Sequence, residues 1–132
     1  MLGSVEFGES SVIADLEAGI GTLTRLDDER MDIVLVVVEA TPKSIEVGTR
    51  AAQLAEQKSL GRVVVVASRV RNADDLAVIT SAFPDQEVVA IPDDPAIVEA
   101  DRNGVAPLDS HPEAPAVKAL VKLAQSLVPA AA

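Results

Sequence analysis

The chain of 132 residues contains no cysteine, tryptophan or tyrosine and only two phenylalanines. The absence of cysteine excludes disulfide bonds, thiolate metal sites and a cysteine nucleophile within this sequence. Hydrophobic residues make up 48% of the chain and aromatic residues only 2%, so the core must consist of Val, Ile, Leu and Ala. A core of this kind is typical of buried parallel strands with helices packed on them.

Positive charge is scarce as well. The chain has 11 lysines and arginines and 21 aspartates and glutamates, which gives a formal net charge of −10. Such a charge disfavours broad binding to nucleic acid or to an anionic bilayer. The last predicted helix carries only Lys118 and Lys122 and has no aromatic anchor. We therefore expect its apolar stripe to pack on the core, and neither a membrane nor a nucleic acid as a partner.

Targeting and membrane-spanning segments are also missing from the pattern. The first residues include Glu6 and Glu9 and no apolar core, unlike a signal peptide. No apolar run approaches the length that spans a bilayer. We expect one cytoplasmic domain over residues 1–132, with 129–132 as a frayed tail.

Motifs that bind phosphate are absent from this sequence. It contains neither G-x-x-x-x-G-K-[ST] nor G-x-G-x-x-G, and its seven glycines are scattered. The single histidine, His111, lies between Ser110 and Pro112, and we expect it to be exposed in a loop. No nucleophile turn accompanies it, so a serine hydrolase is not predicted.

Runs of β-branched residues alternate with helically periodic segments that begin at capping residues. Thr41, Asn72 and Asp94 are the predicted N-caps. The pattern predicts strands at about 11–15, 33–39, 62–67 and 87–91, and helices at about 42–58, 73–83, 95–103 and 115–127. Alternation of this kind indicates right-handed βαβ units. We expect a three-layer α/β domain with a mostly parallel sheet of four or five strands.

Polar residues that follow the strands are the candidate site residues, because the carboxyl ends of parallel strands face the ligand crevice. Asp15 could hold a metal ion or orient a water there, or it could simply be a polar turn residue. Arg69 and Arg71 could bind phosphate or be solvated surface residues. Asp94 is explained as a helix cap, so a ligand role would be additional.

Four segments carry a family resemblance, namely Val12–Ile20, Val36–Glu46, Ala90–Asp94 and Glu99–Gly104. Together they resemble the MinD/ParA-like group of deviant P-loop ATPases. They are most similar to the CooC-type accessory ATPases of carbon monoxide dehydrogenase. The resemblance covers about residues 11–127 and implies a partial P-loop NTPase fold, which is Rossmann-like.

The resemblance also implies roles for five residues. Asp15 would serve the magnesium ion and the hydrolytic water. Ser68 and Arg69 stand where the family has an Asn-Lys pair beside the adenine ring. Pro92 and Asp94 would border the adenine pocket. The implied cofactor is ATP or ADP with Mg²⁺, bound weakly or not at all by this chain alone.

The sequence departs from the family in three respects. It has no segment that matches the phosphate loop with its lysines, it lacks the paired cysteines, and Gly21-Thr22 replaces a Glu-His pair. The resemblance thus implies the carboxyl-terminal half of such an ATPase, without ATPase activity alone. Three functions stay open: half of a nucleotide site completed by another polypeptide, a non-catalytic protein-association module, or an unrelated small α/β binding module.

Loss of the central phosphate strand is expected to leave an unpaired strand edge, and such edges favour association. We expect a homodimer formed near Ser11–Ala14 or through the short leading strand, or a protein partner that supplies the missing half.

Overall fold

A computed structural model describes residues 12–15 and 31–127. Within these ranges the chain forms three strands, β1 (Ile33–Val38), β2 (Arg62–Val70) and β3 (Glu87–Pro92). Five helices alternate with these strands or follow the last of them. They are α1 (Pro42–Gln57), α2 (Ala73–Ala82), α3 (Pro95–Arg102), α4 (Pro107–Ser110) and α5 (Pro115–Leu127). The predicted α/β class is confirmed.

The sheet has the order β1-β2-β3, and both pairings are parallel. Ile33 lies opposite Arg62 and Val38 opposite Ala67, so β1 and β2 are in continuous register. The pairing of β2 with β3 is interrupted between Ala67 and Val70. This β-bulge lies at the carboxyl end of β2, where it redirects the residues that follow the buried part of the strand.

Helices cover both faces of the sheet and form the expected three layers. On one face, Val36 and Val65 of the strands pack with Ala55 of α1 and Ile79 of α2. On the other face, Val66 of β2 and Ile91 of β3 pack with Ala116 and Leu123 of α5. The buried side chains are almost all aliphatic, as the scarcity of aromatic residues predicts.

The strand predicted at about 11–15 is not formed where the structure can be described. Val12, Ile13, Ala14 and Asp15 have no regular secondary structure and are exposed, while Ser11 lies outside the described residues. The expected sheet of four or five strands is therefore corrected to three strands among the described residues. A short apolar run becomes a strand only when a neighbouring strand edge accepts its hydrogen bonds.

The predicted helix starts are confirmed. Thr41 Oγ1 accepts a hydrogen bond from Ser44 N at 3.2 Å, and Asn72 Oδ1 accepts one from Asp75 N at 2.9 Å. The connection between α3 and α5, for which no helix was predicted, contains the single turn of α4, which begins at Pro107. Proline is favoured at the first position of a helix because its fixed φ angle suits helical backbone.

The last helix packs on the sheet as predicted, since Val117 and Leu123 are buried. Leu120 on the same helix is 44% exposed. No helix in the described part of the chain is both long and apolar enough to cross a membrane. The tail predicted at 129–132 and the leading strand predicted before Ser11 lie outside the described residues.

Candidate functional site

An open groove of about 630 Å³ lies at the carboxyl end of the sheet, between the ends of β2 and β3 and the side of α3. Its walls come from these three elements. The lining residues are Arg69, Asp93, Asp94, Pro95, Val98, Glu99, Arg102 and Asn103. A crevice at the carboxyl ends of parallel strands is the usual ligand position in an α/β fold.

Arg69 enters the groove from the β-bulge of β2. Its φ angle is +56°, the left-handed conformation that side-chain-bearing residues rarely adopt. The guanidinium lies between two carboxylates, with Nη1 3.4 Å from Glu39 Oε1 and Nε 3.5 Å from Asp93 Oδ1. Arg69 therefore connects the ends of all three strands. Both pairs are long and exposed, so they hold the side chain only loosely.

Asp94 lines the groove immediately before the start of α3. Its Oδ1 accepts a hydrogen bond from Ala96 N and its Oδ2 accepts one from Ala116 N, both at 3.0 Å. These bonds, first that from Ala116 and then that from Ala96, lower the pKa of the Asp94 carboxyl below its usual value. The side chain is nearly buried and stays ionised at neutral pH. Its cap role is confirmed, and a ligand role stays a prediction.

The α3 side of the groove mixes apolar and polar surface. Pro95 and Val98 provide the apolar part, and Val98 is 56% exposed. Glu99, Arg102 and Asn103 provide the polar part farther along the helix. This wall suits a flat, partly apolar group with hydrogen-bonding edges.

Two of the predicted site residues, Arg69 and Asp94, are brought together in this groove. The other two predicted nucleotide contacts are nearby but do not line it. Ser68 is half-buried in β2, and Pro92 is the last residue of β3, paired with Val70. Their predicted contacts with a base remain predictions.

Asp15 is exposed and belongs to no helix or strand. Among residues 12–15 and 31–127, no group of three or more His, Cys, Asp or Glu side chains could hold a metal ion. A magnesium role for Asp15 therefore stays a prediction. Arg71 is exposed and pairs with Asp75, Nε to Oδ2, at 3.1 Å. That pairing raises the pKa of Arg71 and lowers the pKa of Asp75.

The sequence reasoning missed Val98 and Asn103 as parts of the groove. Val98 lies on α3 and Asn103 follows its last residue, so helical spacing from the predicted cap Asp94 could have indicated which face meets the strand ends. His111 lies outside any helix or strand, as predicted, but its side chain is less exposed than expected, at 28%. His111 Nδ1 lies 2.7 Å from Ser110 Oγ, and Nε2 lies 3.4 Å from Glu99 Oε2.

Comparison with known proteins gives limited but consistent similarity. No family model matches the chain. An uncharacterized ATP-binding protein of Methanocaldococcus jannaschii is 36% identical over 63 residues, which is 48% of this chain and 24% of that protein. The chain thus spans about a quarter of the length of this relative.

Two solved structures share the fold. The MinD cell division protein of Aquifex aeolicus has a TM-score of 0.66 at 20% identity, and the match covers 88% of this chain and 52% of that one. The cell division ATPase MinD of Pyrococcus furiosus has a TM-score of 0.60 at 23% identity, covering 73% and 42%. The chain spans about half the length of these proteins and shares the α/β fold of the part that it matches.

Proposed function

We propose that this chain forms the base-binding side of an adenine-nucleotide site and that a phosphate-binding loop from another polypeptide segment completes it. The observation that carries the proposal is the groove where β2, β3 and α3 meet, with Arg69 at its rim and Val98 on its wall. Further support comes from the ATP-binding protein that is similar to part of the chain and from the two MinD structures. We also propose that the chain is related to the CooC-type accessory ATPases.

The size and chemistry of the groove fit a nucleoside. Its volume of about 630 Å³ falls in the range of small-molecule sites. A nucleobase would lie against Pro95 and Val98, with the planar guanidinium of Arg69 available for stacking. The exposed Asn103 amide can donate to or accept from a base or a ribose.

The charges of the groove do not fit a triphosphate. Three carboxylates, those of Asp93, Asp94 and Glu99, outnumber the two guanidinium groups of Arg69 and Arg102. An uncompensated carboxylate repels phosphate, so the phosphates of a bound nucleotide must be neutralised elsewhere. The completing segment would neutralise them, together with a magnesium ion that the phosphates and Asp15 would hold.

Calorimetric titration with ADP and with magnesium-ATP tests this function. We expect weak binding that Val98→Glu lowers by about tenfold or more, because a new carboxylate would occupy the apolar wall. Val78→Glu is the matched control, since Val78 is 53% exposed on α2 and does not line the groove. Absence of binding at millimolar nucleotide, or equal weakening by both variants, would contradict the proposal.

A protein-association module is the second candidate function. The observation that favours it is the outer edge of β1, which has no strand partner among the described residues. A chain that associates in solution but gives no heat with either nucleotide would support this candidate over the first.

A further inference from the structure

His111, in the connection between α4 and α5, contacts a carboxylate of the groove. Its Nε2 lies 3.4 Å from Glu99 Oε2, and its Nδ1 lies 2.7 Å from Ser110 Oγ. Glu99 lines the groove, whereas His111 does not. The histidine is therefore placed to act on the charge of the groove without occupying it.

Backbone hydrogen bonds fix the position of this histidine. His111 N donates to Pro107 O at 2.8 Å, where α4 ends, and His111 O accepts from Ala114 N at 3.1 Å, just before α5 begins. Its side chain is only 28% exposed, while that of Glu99 is 63% exposed. A histidine with a fixed backbone thus faces a carboxylate whose side chain has room to turn towards it or away.

The hydrogen bonds of Ser110 favour one position for the ring proton. Ser110 Oγ donates to Ala106 O at 3.3 Å, and this uses the single hydrogen of the hydroxyl group. The same oxygen then accepts from Nδ1–H of His111 at 2.7 Å. In this arrangement the Nε2 of a neutral ring presents a lone pair, and no hydrogen, to the Glu99 carboxylate.

The elements around His111 carry mostly negative charge. Their charged residues beside the ring or next to it in sequence are Asp94, Glu99, Asp109, Glu113 and Lys118. Glu99 contacts the ring, and Asp94 interacts with it electrostatically. Asp109 is exposed on α4, and Glu113 pairs with Lys118 at 3.0 Å. The carboxylate that links the ring to the polar wall of the groove is that of Glu99.

We propose that protonation of His111 holds Glu99 and thereby regulates the affinity of the groove for a phosphate-bearing nucleotide. The regulation rests on the proposed function. A second ring proton must enter at Nε2, which then donates to Glu99 Oε2 in a charge-assisted hydrogen bond. Histidine changes charge between about pH 5 and pH 8, so a modest change in acidity operates the contact.

The charge of the groove sets the direction of the effect. Its lining has three carboxylates and two guanidinium groups, so one negative charge is left without compensation. The positive ring of His111 compensates the Glu99 carboxylate and brings the groove close to neutrality. Repulsion of the phosphates then falls, and ADP should bind more tightly in mild acid.

Nuclear magnetic resonance tests the contact without any nucleotide. His111 is the single histidine of the chain, so the signals of its ring nitrogens are unambiguous. We expect the Nδ1–H tautomer at about pH 8 and a doubly protonated ring in mild acid. The carboxyl carbon signal of Glu99 should change as the ring gains its proton, and His111→Gln should abolish that change.

Calorimetric titration with ADP at about pH 8 and about pH 5.5 tests the regulation. Between these conditions, we expect the affinity of the wild type to rise about threefold more than that of His111→Gln. The phosphate's own ionisation acts equally on both chains. Adenosine, which has no phosphate, should show no such difference between them.

Two further variants test the part played by Glu99. Glu99→Gln removes a carboxylate that lines the groove and should bind ADP more tightly than the wild type at about pH 8. Glu113→Gln is the matched control, because it removes the same charge from an exposed residue that does not line the groove. Equal effects of the two variants on ADP affinity would contradict the role of Glu99.

Two other results would overturn the inference and leave the proposed function intact. One is ADP binding with the same pH response in the wild type and in His111→Gln. The other is an Nε2–H tautomer of the neutral ring, because Nε2 would then donate to Glu99 at every pH. If neither chain binds ADP at either pH, the proposed function fails. The ring and carboxyl spectra then still decide whether His111 holds Glu99.

Discussion

Asp94 Oδ2 accepts a hydrogen bond from Ala116 N at 3.0 Å across 22 residues of sequence. The other oxygen, Oδ1, accepts one from Ala96 N within α3. Ala114, which precedes α5, has no side-chain acceptor for the first amides of that helix. One carboxylate therefore caps the start of α3 and also serves the start of α5.

We expect Asp94→Ala to destabilise the fold more than Asn72→Ala, the matched cap variant on α2. Loss of the Asn72 cap should cost about 1 kcal/mol, because one helix N-terminus loses one acceptor. Asp94→Ala removes the side-chain acceptor from the starts of two helices, α3 and α5. Urea unfolding followed by circular dichroism measures both variants, and an equal or smaller effect of Asp94→Ala would contradict this role.

The contribution of Asp94 should disappear in acid. Its folded pKa lies below the ordinary value of 3.8, so its stabilisation is complete above that value and is lost as the pH falls through the lower folded pKa. We expect the difference in unfolding free energy between wild type and Asp94→Asn to be constant near neutral pH and to shrink below about pH 4. A difference that grows in acid would have the wrong sign for a depressed pKa.

Ser59 should be replaceable by glycine with a gain in stability. It follows α1 with a φ angle of +50°, a conformation that costs a side-chain-bearing residue energy and that glycine adopts freely. We expect Ser59→Gly to raise the unfolding free energy by about 0.5–1 kcal/mol. Thermal unfolding measures this, and Ser59→Ala is the control that should give no such gain.

Gly48 should not tolerate a methyl group, although alanine is the better helix former. A Cβ at this position of α1 would overlap Val38 Cγ1 and would lie 3.3 Å from Phe83 Cζ. The helix-propensity gain of about 1 kcal/mol is then outweighed by an overpacking cost of about 1–3 kcal/mol. We expect Gly48→Ala to lower the free energy of unfolding measured in urea. An increase would show that the side chains of Val38 and Phe83 move aside at little cost.

We expect no release of phosphate from magnesium-ATP above background by this chain alone. Phosphoryl transfer depends on positioning and on neutralising the phosphate charges. Losing even one well-placed donor costs about 10²–10³ in rate, and this sequence has no phosphate-loop motif. A phosphate-release assay comparing the chain with Asp15→Ala checks this. Turnover that disappears in the variant would reveal a phosphate site that the motif search does not detect.

The sequence by itself determined the elements whose causes are local. The β-branched runs of β1, β2 and β3 and the caps at Thr41 and Asn72 involve residues within a few positions of one another. Hydrophobic period and cap chemistry therefore predict them directly. Arg69 and Asp94 line the same groove because the carboxyl ends of parallel strands meet at one edge, while their contact with a nucleotide stays a prediction.

Only the tertiary structure decided which strand or hydrogen-bond partner Arg69, Asp94 and Val12–Asp15 have. The bulge that holds Arg69 in a left-handed conformation depends on the pairing of β2 with β3. The bond from Asp94 to Ala116 depends on how α5 lies over the sheet. Val12–Asp15 has the composition of a strand but forms none, because a strand requires a neighbouring edge and local sequence cannot supply one.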